Sequence, residues 1–250
     1  MSRHSKSERV PLLCYVTDRR SLVSAEGSKA RHPLDARKIL IEKIAAAAAA
    51  GVDWIQIREK DLSGKECSSL TREAVRLAAR SSSGGTAKVS ASSISEAACE
   101  LVSARILVND RLDVALAAQA SGVHLSEKSL PAGEARRLAS SFRYEDFLIG
   151  VSCHSLEAAK AAERGGANYL FFGPVFATPS KATYGTPQGL KHLTKVCRAV
   201  AVPVLAIGGV TMENAADCLS TGASGIAAIR LFQDAPNMDA VVSALRNISA

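Results

Sequence analysis

The chain lacks any run of about 18 consecutive apolar residues, which excludes an ordinary membrane-spanning helix. Its most apolar helical stretch, residues 44–52, is mostly alanine and follows Glu42 and Lys43. The first ten residues are polar and basic without an apolar segment, so no secretory signal is expected. The six cysteines, at 14, 67, 99, 153, 197 and 218, form no CxxC pair and no Cys/His cluster of zinc spacing. Scattered thiols without an export signal point to a reduced, cytoplasmic setting and to mostly buried side chains. Acidic residues are in deficit, 24 against 31 Lys and Arg, for a formal net charge of +7. That surplus suits an anionic small molecule and is too diffuse to argue for nucleic acid. The opening glycine-rich fingerprint of a dinucleotide-binding fold is also missing, which counts against a doubly wound open sheet.

What remains is an ordinary globular composition, 47% hydrophobic and 22% charged over 250 residues, organised as an alternation. Short apolar runs at 11–18, 52–59, 105–110, 123–126, 147–153, 169–175, 203–208 and 225–230 predict strands. Helical patterns follow them at 36–50, 64–81, 112–120, 132–141, 156–164, 190–200, 212–221 and 238–248. Gly51 is a natural stop for the first helix, and Ser155 an N-cap for the fifth. Eight strand-helix units in a chain of roughly this length is the count of a single (β/α)8 TIM barrel. Residues 1–10 are expected to be a flexible tail and 11–250 the barrel domain. Residues 19–33 form a polar loop on the expected catalytic rim, where a lid would sit. Residues 81–94 form a Ser/Gly-rich linker on the opposite rim.

Side chains alternate in and out along a barrel strand. In the second strand Ile55 and Ile57 fit the helix-covered outside, which sends Gln56, Arg58 and Lys60 towards the mouth. Buried cations need partners, either carboxylates from neighbouring strands or a phosphate ligand. The third strand ends in Asn109 and Asp110. Asp110 is either a helix cap or, beside a bound diphosphate, a Mg²⁺ ligand. Ser152 ends the fifth strand and is positioned to bond a phosphate. His154 is either a general base or a helix-start residue without a catalytic role. Cys153 reads as packing. The loop after strand six carries Thr178, Ser180 and Lys181, all able to hold an anion. Gly208 and Gly209 let backbone N–H groups approach a phosphate, and strand eight ends in Ile229 and Arg230.

Taken together, the stretches Gln56 to Lys60 (QIREK), Val108 to Asp110 (VND), Gly122 to Leu125 (GVHL), Gly150 to Ser152 (GVS), Gly173 to Phe176 (GPVF) and Ile207 to Val210 (IGGV) resemble the thiamine phosphate synthase family. The resemblance runs from Tyr15 to Phe232. It implies a transferase of thiamine biosynthesis that joins a hydroxymethylpyrimidine diphosphate to a thiazole phosphate and releases pyrophosphate. It implies that Gln56, Ile57, Arg58, Glu59, Lys60, Asn109, Ser152 and Lys181 hold the pyrimidine diphosphate, with Asp110 on Mg²⁺. It places Thr178, Ser180, Gly209, Ile229 and Arg230 at the thiazole phosphate. The implied partners are small phosphorylated molecules, with neither nucleic acid nor membrane; oligomeric state stays open, a homo-oligomer included. Two positions depart from the family pattern. Ser129 stands where a second metal-binding aspartate is usual, with Glu127 nearby as a substitute, and Arg230 stands where serine is common. The first departure points to the thiazole tautomerases on the same barrel, but Pro174 occupies the position of their catalytic histidine. A non-catalytic phosphate-binding barrel is the alternative outside both enzymes.

Overall fold

The computed structural model describes residues 10–22, 33–83, 103–142, 144, 146–178 and 186–248. Eight parallel strands close into a barrel in chain order: β1 Leu12–Val16, β2 Trp54–Ile57, β3 Arg105–Asn109, β4 Gly122–Leu125, β5 Leu148–Cys153, β6 Tyr169–Phe172, β7 Val204–Ile207 and β8 Gly225–Ala228. Helices cover the outside: α1 Pro33–Ala49, α2 Gly64–Ser83, α3 Leu112–Ala117, α4 Ala132–Ser141, α5 Leu156–Arg164, α6 Gly189–Ala199, α7 Ala215–Ser220, α8 Arg230–Gln233 and α9 Met238–Arg246. The architecture is the (β/α)8 barrel expected from the alternation.

The helices dock through apolar stripes at helical spacing, such as Cys67, Leu70, Ala74 and Ala78 of α2, all buried. The α1 segment stops where Gly51 takes a φ of +86°, and Ser155 caps α5 by accepting from Ala158 N at 3.0 Å. The barrel interior is a second core of Cys14, Val16, Trp54, Leu107, Tyr169, Phe171, Leu205 and Ala227. Ile55 and Ile57 belong to the helix-side core instead. Gln56 therefore shares the inner face with Trp54, in register with Val16 and Leu107. Room for the Tyr169 ring comes from its register partner Gly150, where a Cβ would lie 2.0 Å from the ring.

Two short elements were not legible in the sequence. Residues Arg19–Leu22 form a 3-10 turn inside the expected rim loop, whose residues 23–32 lie outside the described residues. The second is α8: Arg230 begins a helix, where the sequence pattern had it end strand eight. Strand six also ends early, at Phe172, although Val175 N and Phe176 N go on bonding to Ile207 O and Gly208 O at 2.9 Å each. Residues 1–9 and 84–102, holding the expected tail and most of the linker, lie outside the described residues. No helix among the described residues is long and apolar enough to cross a membrane.

Candidate active site

The C-terminal mouth gathers the polar ends of β2 to β8. Past Ile57 the alternation continues: Arg58 is half-buried, Glu59 buried and Lys60 exposed. The Arg58 backbone is pinned by its N–H to Thr17 Oγ1 at 3.0 Å, while its guanidinium has no ion pair or hydrogen bond to another described residue. The internal salt-bridge alternative thus finds no carboxylate at Arg58 among the described residues. Two neighbouring side chains are engaged within the protein. The Ile57 side chain is packed in the helix-side core, so a ligand could meet only its backbone. The Glu59 carboxylate accepts from Thr17 Oγ1 at 2.6 Å and from Arg19 N at 3.1 Å, bracing β1 and the 3-10 turn.

Burial is the main influence on Glu59 and outweighs those hydrogen bonds, so its pKa lies above the ordinary 4.5. A folded-state pKa above the unfolded one means a stability contribution that is full below the unfolded value. It is lost as pH rises through the folded value. Glu59→Gln keeps the shape without that titration. The variant's stability deficit relative to the native chain should therefore be larger near about pH 5 than near about pH 7. Glu59→Ala, which strands both donors, should lose about 1–3 kcal/mol at either pH. Denaturant titrations at the two pH values check both.

A directional chain of groups links β2, β3 and the turn after β4. Gln56 Nε2 donates to Asn109 Oδ1 at 2.9 Å, and Asn109 Nδ2 donates to Asp110 Oδ2 at 2.9 Å. Asp110 Oδ1 accepts from Ser126 N at 2.8 Å and from the Ser129 hydroxyl. Burial raises the Asp110 pKa, but the bonds from Ser129, Ser126 and Asn109 together outweigh it and hold the carboxyl below 3.8. Because an ionised Asp110 only accepts, Asn109 must turn its oxygen to Gln56, and Gln56 must turn its nitrogen to Asn109. The Gln56 Oε1 is left buried with no donor among the described residues. Such an atom costs about 1–3 kcal/mol, which a ligand N–H would recover. Helix capping does not explain Asp110: α3 is capped at Arg111 with no side-chain bond. Asp110 sits at φ +59°, a left-handed conformation that aspartate tolerates better than most residues.

Asp110 and Ser129 fit a loosely held Mg²⁺. Of roughly four carboxylate lone-pair sites, three are used by the donors above, leaving one on Oδ2. The remaining coordination would come from ligand phosphates and water, as this ion favours. Ser129, and not Glu127, is the residue at Asp110; Glu127 accepts from His154 N at 3.0 Å. Among the described residues no group of three or more His, Cys, Asp or Glu gathers as a metal site.

Ser152, half-buried at the end of β5, bonds His124 Nε2 at 2.9 Å. His154 turns its Nδ1 to the Gly173 carbonyl, and Cys153 is buried, its thiol pushed up to about 12 by desolvation. Across the mouth Gly208 and Gly209 take φ +95° and +69°, and a Cβ on either would approach Pro174 or Phe176 to within 2.7 Å. Ile229 caps α8, whose exposed Arg230 has a guanidinium with no partner among the described residues. A short helix after strand eight is the usual companion of a phosphate in this fold. Its four residues are too few for periodicity to reveal. Thr178 borders this side; Ser180 and Lys181 lie outside the described residues. Sequence reasoning also missed Gln233, buried, which accepts from Tyr15 Oη at 3.0 Å and donates to Asp18 O at 2.8 Å. A cavity of 510 Å³ by Arg105, Ser121 and Asp146 opens on the opposite rim and holds none of these groups.

A barrel whose mouth carries two anion-competent sides fits a phosphate-handling (β/α)8 enzyme. Comparison with known proteins narrows the class. The family model described as thiamine monophosphate synthase matches residues 82–232. The thiamine-phosphate synthase of Methanoculleus marisnigri is 39% identical, over 80% of this chain and 83% of that protein. That of Roseiflexus castenholzii is 36% identical, over 84% and 82%. The solved structure of a thiamine phosphate pyrophosphorylase from Pyrococcus furiosus superposes with a TM-score of 0.72 at 30% identity, covering 96% of both chains. The chain belongs to the thiamine monophosphate synthase family.

Proposed function

We propose that the chain is a thiamine phosphate synthase, transferring the methylene carbon of an aminopyrimidine methyl diphosphate to the ring nitrogen of a thiazole phosphate. The observation that carries this reading is the Asp110–Asn109–Gln56 chain, which ends on a buried acceptor without a donor among the described residues, two positions before Arg58, whose guanidinium has no partner among them. An aminopyrimidine supplies N–H donors to Gln56, and its diphosphate supplies oxygens to Arg58, Lys60 and Ser152. The C–O bond to the diphosphate breaks with its electron pair leaving on pyrophosphate. The thiazole nitrogen lone pair then forms the C–N bond. No proton has to be removed, in keeping with a His154 ring bonded to a carbonyl and a buried Cys153. Mg²⁺ held at Asp110 would add positive charge at the departing oxygens. Gly209 and Arg230 anchor the second substrate, so that binding brings the reactants into one encounter.

Purified protein given both substrates and Mg²⁺ is expected to form thiamine phosphate and pyrophosphate in equal amounts. Absence of product with both substrates saturating overturns the reading. Arg230→Ser separates the two sides of the mouth. It should raise the KM for the thiazole phosphate about tenfold, the worth of one charge-assisted hydrogen bond, and leave the pyrimidine KM in place. Steady-state kinetics with each substrate varied in turn checks this; the reverse pattern would exchange the sides.

A further inference from the structure

His124 lies buried inside the barrel beneath the mouth, its ring centroid 4.1 Å from that of Phe171. Its Nδ1 is 3.1 Å from Tyr169 Oη and its Nε2 is 2.9 Å from Ser152 Oγ. Hydrogens follow from the network. Tyr169 is wholly buried, and burial drives its pKa well above 10, so the phenol keeps its proton. Among the described residues its hydroxyl has one hydrogen-bond partner, His124 Nδ1. Pointing that proton elsewhere leaves a buried donor unsatisfied, so Tyr169 donates to Nδ1. The neutral imidazole then carries its own proton on Nε2 and donates to Ser152 Oγ. With an oxygen lone pair so occupied, the Ser152 hydroxyl is left with its proton to give. The opposite tautomer would make Ser152 donate downward and offer only lone pairs to the mouth. A diphosphate, which presents acceptors alone at this face, would be repelled.

We infer that Tyr169, His124 and Ser152 form a one-way hydrogen-bond relay that aims the Ser152 proton at the diphosphate, with Tyr169 and His124 as positioning residues. The inference rests on the reading above for the ligand of Ser152. Its internal part is tested without ligand: ¹⁵N NMR of the histidine-labelled protein, assigned with Glu or amide variants at 124, should show a neutral ring protonated on Nε2. A ring protonated on Nδ1 overturns the relay. Kinetics tests the outward part. Tyr169→Phe should raise the pyrimidine diphosphate KM about tenfold and spare the thiazole KM. In a Ser152→Ala background the same change should have no further effect, which a merely structural role for Tyr169 would not produce. Additive losses overturn the proposal. His124→Gln, whose amide nitrogen falls near Nε2, should retain more activity than His124→Asn, whose nitrogen falls near Nδ1; the reverse order counts against the relay. An unchanged pyrimidine KM in Ser152→Ala overturns the functional assignment of Ser152, while the tautomer measurement still decides the relay on its own.

Discussion

Replacing Arg58 with alanine is expected to lower kcat/KM by about two to three orders of magnitude, the range for deleting one preorganised donor to developing charge. Thermal stability should hardly change. The guanidinium makes no bond to a described residue, so no carboxylate is stranded when it goes, and one positive charge leaves a chain of net charge +7. More of the loss should appear in kcat than in KM, because the diphosphate gains charge at the bridging oxygen as the C–O bond breaks, and Arg58 meets that charge most strongly in the transition state. Arg58→Lys should recover only part of the rate, since a point charge cannot supply the two-pronged donor geometry. Lys60, exposed at the rim, should matter less when changed to alanine. Steady-state kinetics and melting curves on the three variants decide. Native turnover in Arg58→Ala would remove this residue from the diphosphate site.

Much of this site was legible because barrel strands have a two-residue period. Two outward isoleucines, Ile55 and Ile57, oblige Gln56 to face in and Arg58 to reach the mouth, and the structure puts Gln56 on the inner face with Trp54. The same logic failed where the chain leaves the strand. Glu59 stands in a run of mouth residues, yet its carboxylate turns to Thr17, a residue forty-two positions away that no local pattern links to it. Asp110 read equally as a cap or a metal ligand, because both need a carboxylate before a helix. What sets the cap aside is the φ of +59° and the reach to Ser126 and Ser129, which depend on how β3 and β4 pair. Choosing Ser129 over Glu127 required the same long-range pairing. The Tyr169 contact with His124 was beyond reach for a further reason: a tyrosine in an apolar strand looks like core until its hydroxyl is seen to have a buried partner.

The Asp110 geometry also fixes what a metal titration should look like. With one lone-pair site to offer, the chain alone is a poor Mg²⁺ ligand set, and most of the shell must arrive with phosphate oxygens. Mg²⁺ by itself should leave the melting temperature unchanged, pyrophosphate by itself should raise it slightly, and the two together should raise it more than the sum, as linked binding requires. Asp110→Asn should abolish that synergy and lower kcat/KM by about two to three orders of magnitude. The isosteric amide removes the charge; with its oxygen kept on the Ser126 N–H and Ser129 donors, its N–H₂ opposes Asn109 Nδ2, so the chain to Gln56 loses its direction. The depressed pKa settles the pH window. The folded value lies below the unfolded 3.8, so the carboxylate's contribution is complete above 3.8 and is lost only as pH falls through the folded value. Loss of activity between about pH 5 and pH 7 should therefore follow phosphate protonation on the substrates and be equally present in any active variant at Ser129. Turnover that survives chelation unchanged, or an Asp110→Asn enzyme with native synergy, would place the ion elsewhere or remove it from the reaction.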